Sequence, residues 1–514
     1  MGAWQDGYVI DIPYVAGFHR ELAPGYLHLL GVLMGVRPPA VADTEFAYCE
    51  LGCGRGLGPL LLAAANPHGR FHGYDFNAAQ IGQAGRWAEQ AGLANVRFGA
   101  ESFASLAAQG ETTPQFDIVV LHGVYSWVSQ ENRRHIVSFI RNRLKPGGIV
   151  YVSYNSMPGW AAFTPVQRLM RELVIRRPGR SDESVVAARE FVSRLASRGA
   201  RYFSANESVT LYLEQLVDRN ASYLAHEFLN EHWEALYHLD VARQMAEARL
   251  QYFGSATISD NFVAMSASPE IAAMFAGADV GMAETIKDFS VNRRFRRDLF
   301  AREAAPLSGS DFLAALGAVR LMLTVEPEAA TTTLTTSAGE LQTNLAIAQP
   351  VLERLKQGSV GIAELMALPA LAGLPSELLA QTLAFFVESG QIHPMREDGA
   401  ADSAARALNG LLIAEALRDD SVRYLAAPAI GSGVFVAHGE QLVLNAVREH
   451  GSENVAAVRD FVWARLKAQN KRLINDGVPI ESEADNLAET ERRVGNFLDQ
   501  RLPLLQRLGV IAWA

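Results

Sequence analysis

The chain has 514 residues, enough for about three domains of ~150 residues that each bury a sizeable core. Its composition, 49% hydrophobic and 20% charged residues, is that of an ordinary folded protein and excludes a disordered or fibrous chain. The formal net charge is −10, which argues against general nucleic-acid binding, because neutralising phosphates requires a basic surface.

The start of the chain carries no basic segment followed by an apolar run, and no stretch of ~20 uninterrupted apolar residues follows it. Two cysteines, Cys49 and Cys53, fall in a predicted strand and the turn after it. They are too few for a disulfide framework or a structural zinc site, and they indicate a reducing compartment. We therefore expect a cytoplasmic protein without a membrane span.

From residue 46 to residue 154, short apolar runs alternate with amphipathic stretches of helix length. This alternation is typical of a parallel sheet with crossover helices, in which ligands bind beyond the carboxyl ends of the strands. The predicted strands cover 46–51, 69–75, 95–98, 116–121 and 148–154, and the predicted helices cover 57–66, 78–91, 103–109 and 129–143.

The first predicted strand ends in a glycine-rich turn, Glu50-Leu-Gly52-Cys-Gly54-Arg-Gly56, directly before a predicted helix. Glycines allow a tight turn and a close approach of ligand to backbone, and a helix start offers unpaired N–H groups. The spacing departs from the dinucleotide fingerprint Gly-x-Gly-x-x-Gly, because Leu57 occupies the place of the third glycine. This departure disfavours NAD as the ligand.

Asp75 ends the second predicted strand, where a carboxylate can accept hydrogen bonds from both hydroxyls of a ribose. Together with the glycine turn, the run Phe116-Asp-Ile-Val-Val120 and the turn Leu144-Lys-Pro-Gly-Gly148, it resembles the ordered motifs of class I S-adenosylmethionine-dependent methyltransferases. The resemblance implies S-adenosyl-L-methionine as the cofactor; a doubly wound fold with another nucleotide is the alternative. The cofactor-binding residues assigned on this basis are Glu50, Gly52, Gly54, Gly56, Asp75, Glu101 and His122.

Later segments resemble a narrower group. Tyr223–Trp233, Leu250–Ala256 and Asn292–Phe300 are similar to bacterial methyltransferases with a methyltransferase regulatory domain, which include the rickettsial lysine methyltransferases acting on outer-membrane proteins. Tyr8–Tyr14 and His122–Trp127 are similar to the same group, although the aromatic and proline-rich run that often follows the first segment is replaced here. The resemblance implies a protein lysine as the methyl acceptor.

The predicted fold is α/β, a Rossmann-like seven-stranded class I methyltransferase core with an inserted helical lid, followed by a winged-helix-like module and a C-terminal α+β module. By the resemblance, residues 250–256 and 295–300 are the closing antiparallel strands of the sheet. The predicted domains are a methyltransferase domain over 1–305 with its lid over about 156–238, a connection over 306–340, a winged-helix-like module over 341–397, and a C-terminal regulatory or substrate-contact module over 407–514.

The winged-helix-like pattern consists of three predicted helices and a strand, over 341–356, 360–368, 375–389 and 391–395. No Lys or Arg occurs between Lys356 and Arg396, so its second and third helices lack cations for phosphate contacts. We therefore interpret the module as a protein-contact or regulatory unit. After it, the sequence predicts helices and a terminal apolar strand over 505–514.

Methyl transfer from a sulfonium is an in-line displacement, and holding donor and acceptor together in a dry pocket supplies most of the acceleration. A lysine amine, with an ordinary pKa of ~10.4, must lose a proton before it attacks, and an apolar pocket favours its neutral form. Aromatic faces also attract cations. The predicted catalytic residues are Tyr125, Trp127, Tyr154 and Asn155, and the predicted substrate contacts are Trp160, Glu227 and Glu231.

Each of these residues has a simpler interpretation. Trp127 and Trp160 can be packing residues, and Glu227 and Glu231 can be solvated helix charges. His226 and His232 are six residues apart, which puts them on different faces of a helix, so we predict no metal site.

The sequence as a whole predicts an S-adenosylmethionine-dependent methyltransferase, with a lysine side chain of a protein as the favoured acceptor. A small-molecule methyltransferase and a catalytically idle, cofactor-sensing binding protein are the alternatives. The expected partner is accordingly a protein substrate or a small-molecule acceptor, and not nucleic acid. A homo-oligomer is compatible with the sequence, which does not fix the oligomeric state.

Overall fold

The computed structural model describes residues 4–5, 7–12, 17–42, 44–110, 114–263, 267–275, 277–336, 339–396, 403–475 and 477–513. Residues 13–16, part of the N-terminal segment used in the family resemblance, lie outside the described residues. Within the described ranges, no helix combines the length and the apolar character that crossing a bilayer requires.

The described N-terminal segment begins with two short antiparallel strands, β1 (Trp4–Gln5) and β2 (Tyr8–Val9). A 3-10 turn over Arg20–Leu22 leads into helix α1 (Pro24–Leu33). Proline at the first position of α1 suits a helix start, because its missing N–H has no partner there in any case. Most of α1 is buried, since it packs on the sheet and on the modules that follow it in the chain.

The central sheet has seven strands in the order β5-β4-β3-β6-β7-β9-β8. The first five strands in this order are parallel, while β9 runs antiparallel to both β7 and β8. This topology confirms the predicted class I methyltransferase core, including its two closing strands. The strands are β3 (Phe46–Leu51), β4 (Gly69–Asp75), β5 (Val96–Ala100), β6 (Phe116–Leu121), β7 (Leu144–Asn155), β8 (Leu250–Ser255) and β9 (Phe295–Arg302).

Helices cover both faces of the sheet. The helices α1, α2 (Leu57–Ala65) and α3 (Ala78–Gln90) pack on one face, and α4 (Phe103–Ala108) and α5 (Gln130–Arg143) pack on the other. The side chains of Asn77, Ser102 and Ser129 cap the starts of α3, α4 and α5 by accepting backbone N–H groups. All nine residues of α2 are buried, because the C-terminal part of the chain covers its outer side.

A helical insertion lies between β7 and β8, over the fully described stretch 156–249. Its core packs around Trp160, Phe163 and Phe228 and takes in Val9 from the N-terminal segment. The insertion therefore shares one apolar cluster with the start of the chain. Its helices are α6 (Thr164–Arg176), α7 (Ser181–Ser197), α8 (Arg201–Ser204), α9 (Glu207–Gln215), α10 (Ala221–Phe228) and α11 (His238–Glu247).

The connection between β8 and β9 carries a 3-10 turn (Ile258–Asn261), α12 (Pro269–Ala273) and α13 (Val280–Ser290). A buried guanidinium ties this region to the sheet: Arg296 donates to Glu284, Asp288 and Asp298 at 2.7, 2.6 and 2.8 Å. Buried charges are tolerated when every one is paired, and removing one partner leaves the other uncompensated.

The segment predicted as a connection over 306–340 contains regular elements, α14 (Gly309–Gly317) and β10 (Arg320–Leu323). β10 is the middle strand of a small sheet with β13 (Val360–Gly361) and β14 (Ile392–Pro394). The Thr-rich stretch contributes β11 (Thr333–Thr336), which pairs with β12 (Gly339–Gln342). Every second residue of β10 is buried. With only four residues, the strand is too short for this alternation to stand out in the sequence. The segment predicted as a winged-helix-like module over 341–397 contains α15 (Leu345–Lys356), β13 (Val360–Gly361), α16 (Ile362–Met366), a 3-10 turn (Pro369–Leu371), α17 (Ser376–Glu388) and β14 (Ile392–Pro394).

The last part of the chain, residues 403–513, is called the C-terminal module below. The strand predicted over 505–514 is wrong: a helix continues to Arg507, no strand follows over 508–513, and residue 514 lies outside the described ranges. The apolar residues of this stretch are buried on one side of the helix and in the turn after it. The elements are α18 (Ser403–Glu415), β15 (Tyr424–Ala427), β16 (Ser432–Phe435), α19 (His438–His450), α20 (Val455–Ala468), β17 (Ile474–Asn475), β18 (Val478–Pro479), α21 (Glu483–Asn496), a π turn (Phe497–Arg501) and α22 (Leu502–Arg507).

Candidate active site

A cavity opens at the carboxyl ends of β3, β4 and β6, where the strand order of the sheet reverses. Such a switch point is where ligands of doubly wound sheets bind. The glycine turn, the ends of β4 and β5, the loop after β6, the N-terminal segment and α10 all contribute to its wall. Seven of the residues predicted from the sequence line it, namely Glu50, Gly52, Gly54, Asp75, Glu101, His122 and Trp127.

The three glycines of the turn have positive φ angles, 73° at Gly52, 53° at Gly54 and 71° at Gly56, which disfavour a side chain. A Cβ on Gly52 would lie 2.4 Å from a methyl carbon of Val124, and one on Gly56 would lie 2.6 Å from the Cβ of Ala84. Gly54 faces the cavity with more space. Gly52 and Gly56 are thus required by packing as well as by backbone shape, and Gly56 lies outside the cavity wall.

Asp75 holds the glycine turn. Its Oδ2 accepts the backbone N–H of Gly54 and its Oδ1 accepts that of Asn77, both at 2.9 Å. Burial raises the pKa of Asp75, and these two N–H groups act in the opposite direction. Each carboxylate oxygen has two lone pairs, so both oxygens keep acceptor capacity toward the cavity.

Glu50, at the end of β3, carries a buried carboxylate on the cavity wall. Its Oε2 has no hydrogen-bond partner among the described residues, and Gly58 packs so closely that a Cβ there would lie 2.8 Å away. Burial, and next the neighbouring charge of Asp75, raise the pKa of Glu50 to about 8. A buried acceptor left without a partner is costly, so the site favours a ligand that brings a donor or a cation to this oxygen.

The cavity wall also contains two stacked imidazole rings. The ring centroids of His122 and His19 are 3.5 Å apart, and Nδ1 of His122 lies 2.9 Å from the hydroxyl of Tyr151. Burial lowers the pKa of both histidines, which keeps them neutral near pH 7. His122 therefore lies beneath the N-terminal segment, next to the loop that carries Trp127.

Glu101 follows β5, and its backbone N–H donates to the carbonyl of Asp75 at 3.0 Å. Its Oε2 accepts the hydroxyl of Ser105 at 2.5 Å. Phe76 and Phe103 line the same end of the cavity. This end combines aromatic surface with a carboxylate, a lining suited to a planar ring that carries an amino group.

Tyr125 and Tyr154 do not line the cavity. The hydroxyl of Tyr125 donates to Gln244 at 2.6 Å, and that of Tyr154 donates to Asp298 at 2.5 Å. Both rings are fully buried, and burial raises the pKa of both hydroxyls. Because successive side chains of a strand point to opposite faces, Tyr154 faces away from Tyr151, which contacts His122.

Trp127 lines the cavity, and its Nε1 donates to the backbone carbonyl of Glu227 at 3.3 Å. The Glu227 carboxylate in turn accepts the Nδ2 of Asn155 at 3.1 Å. Burial raises the pKa of Glu227 to about 7. Asn155 and Glu227 are thus brought together directly beside the Trp127 wall, although neither lines the cavity itself.

Trp160 and Glu231 lie elsewhere. Trp160 is buried in the core of the insertion, packs on Trp233 and donates from Nε1 to the carbonyl of Arg294 at 2.7 Å. Glu231 is half-exposed and pairs with Arg171 at 3.7 Å. Neither residue lines the cavity.

Sequence analysis assigns several wall residues no role in the site, although Tyr8 lies in a segment that resembles the family and His226 was considered only as a metal ligand. The N-terminal segment and α10 reach the cavity through tertiary packing, so their spacing in the chain gives no signal. Phe76 is different, because an aromatic residue directly after the strand-end Asp75 was readable as a ring contact. The residues that were missed are Tyr8, Phe18, His19, Phe76, Asn132 and His226.

Comparison with known proteins places this site in a family. Residues 42–186 match a family described as a methyltransferase domain, and residues 220–302 match a predicted methyltransferase regulatory domain. An uncharacterised protein of Synechocystis sp. is 36% identical over 516 residues, which cover 99% of each chain. An uncharacterised protein of Rickettsia prowazekii is 28% identical over 296 residues, 56% of this chain and 51% of its own.

Among solved structures, PKMT2 from Rickettsia typhi in complex with AdoHcy has a TM-score of 0.70 and 19% identity, and the match covers 96% of this chain and 99% of that one. At this identity the similarity shows a shared fold over nearly the whole length. The chain belongs to the S-adenosylmethionine-dependent methyltransferases that carry a methyltransferase regulatory domain, and its cofactor is S-adenosyl-L-methionine.

Proposed function

We propose that the protein transfers methyl groups from S-adenosyl-L-methionine to lysine side chains of a protein. The observation that carries the proposal is that one cavity wall combines the carboxylates of Glu50, Asp75 and Glu101, called the carboxylate end below, with aromatic rings and neutral imidazoles. The resemblance to the rickettsial lysine methyltransferases in sequence, and the likeness to PKMT2 in fold, support the same acceptor.

We assign the carboxylate end to the cofactor. Asp75 accepts the ribose hydroxyls, and Glu50 accepts the ammonium of the methionine part, which gives its unpartnered Oε2 a donor. Glu101 and Phe76 contact the adenine, and the bare backbone of the glycine turn allows close approach. When bound, S-adenosylmethionine supplies an electrophilic methyl group on a sulfonium that leaves as a neutral thioether.

We assign the part of the wall formed by Trp127, His122 and His19 to the acceptor. Trp127 and Tyr8 supply aromatic faces that attract a cationic lysine. The neutral rings of His122 and His19 present no positive charge to it, and the apolar aromatic wall favours the neutral amine, the form that attacks the methyl group. Arg55 is the single Lys or Arg among the described residues of the cavity wall, and it is paired with Asp419.

The remaining predicted residues support these walls. We propose that the Asn155 and Glu227 pair fixes the Trp127 loop, because Trp127 donates to the Glu227 backbone. We assign Tyr125, Tyr154 and Trp160 to packing, since their polar atoms bond to groups away from the cavity.

The proposal also puts the enzyme in the cytoplasm, where the free thiols of the buried residues Cys49 and Cys53 stay reduced.

The test is incubation of the purified protein with methyl-labelled S-adenosylmethionine and a lysate of its source cell. Base-stable label that precipitates with acid and maps to lysine supports the proposal and identifies the substrate. Label confined to the soluble fraction contradicts it in favour of a small-molecule acceptor. Cofactor binding without any label contradicts it in favour of a cofactor-sensing binding protein.

A further inference from the structure

Arg55 lies within the glycine turn, between Gly54 and Gly56, and its side chain contacts the C-terminal module. One terminal nitrogen donates to the hydroxyl of Ser421 at 2.9 Å, and the other lies 3.5 Å from Oδ2 of Asp419. The guanidinium also lies over the ring of Trp87, 5.7 Å from its centroid. The Arg55 side chain is 12% exposed, so these contacts are largely shielded from solvent. The glycine turn is thereby bound to the C-terminal module.

The acceptor for Arg55 is held in place by its own loop. The carboxylate of Asp419 accepts the backbone N–H of Ser421 at 2.8 Å and its hydroxyl at 2.7 Å. Burial acts to raise the pKa of Asp419, but the hydrogen bonds from Ser421 and the charge of Arg55 outweigh it and hold the pKa below its usual value. The carboxylate is therefore ionised and oriented toward the guanidinium.

The C-terminal module also contacts the C-terminal end of α2, the helix that follows the glycine turn. Asn66, directly after α2, donates from Nδ2 to the carbonyl of Gly431 at 2.8 Å. The ring of Tyr424 packs on that of Phe18, a cavity residue, with centroids 5.8 Å apart. In addition, β15, β16 and α18 of the module pack directly on α2, whose nine residues are all buried, and so fix the helix whose N-terminus carries the glycine turn.

We propose that Asp419 of the C-terminal module is a positioning residue for the cofactor, because it holds Arg55 and with it the glycine turn in the binding conformation. The module is thus part of the cofactor site, although it contributes no predicted cofactor contact of its own. Arg55 is the one Lys or Arg on the described cavity wall. Its pairing with Asp419 offsets a positive charge that would otherwise repel a cationic cofactor. The proposal rests on the assignment of this cavity to the cofactor.

The experiment measures the affinity of the full chain for AdoHcy by isothermal titration calorimetry, together with the melting temperature of the free protein. We expect Asp419→Ala to weaken AdoHcy binding about fivefold, the size of effect that one partly shielded ion pair can supply. The matched control is Asp420→Ala. This neighbouring carboxylate pairs with Lys471 at 2.8 Å and not with Arg55, so affinity should stay unchanged.

A double-mutant cycle separates positioning from general loosening of the module. In an Arg55→Ala background, Asp419→Ala should have no further effect on AdoHcy affinity. Equal affinities for Asp419→Ala and Asp420→Ala, or an undiminished effect of Asp419→Ala in the Arg55→Ala background, overturn the proposal. Asp419→Asn repeats the test with a side chain of the same shape if Asp419→Ala fails to fold. Absence of AdoHcy binding by the wild-type protein instead overturns the cofactor assignment.

Discussion

The two parts of the cavity wall that we assign to the cofactor and to the acceptor, called the cofactor end and the acceptor end, are built in different ways. The cofactor end consists of consecutive turns, and backbone groups fix it: Asp75 accepts two N–H groups, and the glycine turn adopts angles that side chains disfavour. The acceptor end is assembled from remote segments, with His19 stacked on His122 and Trp127 bonded to α10. We therefore expect the first arrangement to bind a single ligand, and the second to tolerate side-chain changes that alter acceptor specificity without disturbing the glycine turn.

The largest expected effect comes from Gly52→Ala. With φ at 73° and a clash of 2.4 Å against Val124, the alanine strains the turn and displaces the loop after β6. We expect a loss of ~1–3 kcal/mol of stability and of measurable AdoHcy binding. The control is Gly147→Ala, at φ 76° with open space around the new methyl, which should cost stability alone. Wild-type affinity in Gly52→Ala would show that the turn is not the cofactor end.

The second-largest effect is expected from Asp75→Ala. Hydrogen bonds to a charged group contribute about 1.5–3 kcal/mol, so loss of the carboxylate should weaken AdoHcy binding by ~10- to 100-fold in calorimetry. Asp117→Ala is the control, because this carboxylate also accepts a backbone N–H, that of Ala47 at 2.7 Å, but lies outside the cavity wall. It should lower stability without changing affinity. Unchanged affinity in Asp75→Ala would remove the ribose assignment.

The acceptor end should respond differently. Trp127→Ala should reduce kcat/KM for the protein acceptor by up to roughly 100-fold, the cost of misplacing reactants by ~1 Å, while AdoHcy affinity is nearly retained. Trp160→Ala is the control, because this tryptophan is buried in the insertion core and away from the cavity. It should lower the melting temperature with a smaller effect on turnover per folded molecule. An equal loss of AdoHcy affinity in Trp127→Ala would show that Trp127 belongs to the cofactor site and that the cavity has no separate acceptor end.

The pH dependence of stability should reveal Glu50. Its pKa rises from 4.5 to about 8 on folding, so the native state holds the proton more tightly. The contribution of protonated Glu50 to the stability of the folded state is therefore fully present below pH 4.5 and is lost as the pH rises through 8. Glu50→Gln removes this loss, and its melting temperature should exceed that of the wild type by more at pH 8 than at pH 5. A difference that does not change with pH would contradict the buried, unpartnered carboxylate.

The smallest effect is expected at Glu231. Its ion pair with Arg171 is long, at 3.7 Å, and half-exposed, so Glu231→Gln should change the free energy of unfolding by no more than ~1 kcal/mol. Turnover should not change. A clear loss of kcat/KM with a folded protein would extend the acceptor end as far as Glu231.

The sequence alone determined the glycine turn and most of the parallel sheet, although β7 begins at Leu144, inside the turn predicted over 144–148. Each of the four crossover helices begins and ends within about two residues of its prediction, because caps, glycines and apolar period are local signals. The turn and Asp75 were readable for the same reason: a backbone at positive φ and a carboxylate at a strand end restrict the residue at a single position.

Tertiary structure alone decided the rest. It buried α2 on every side, placed β10 between two strands that follow it in the chain, and brought His19 onto His122. It also turned Tyr154 to the face opposite the one that contacts His122, because strand geometry alternates faces at each residue. These features depend on contacts between segments far apart in the chain, and such contacts leave no period or spacing in the sequence.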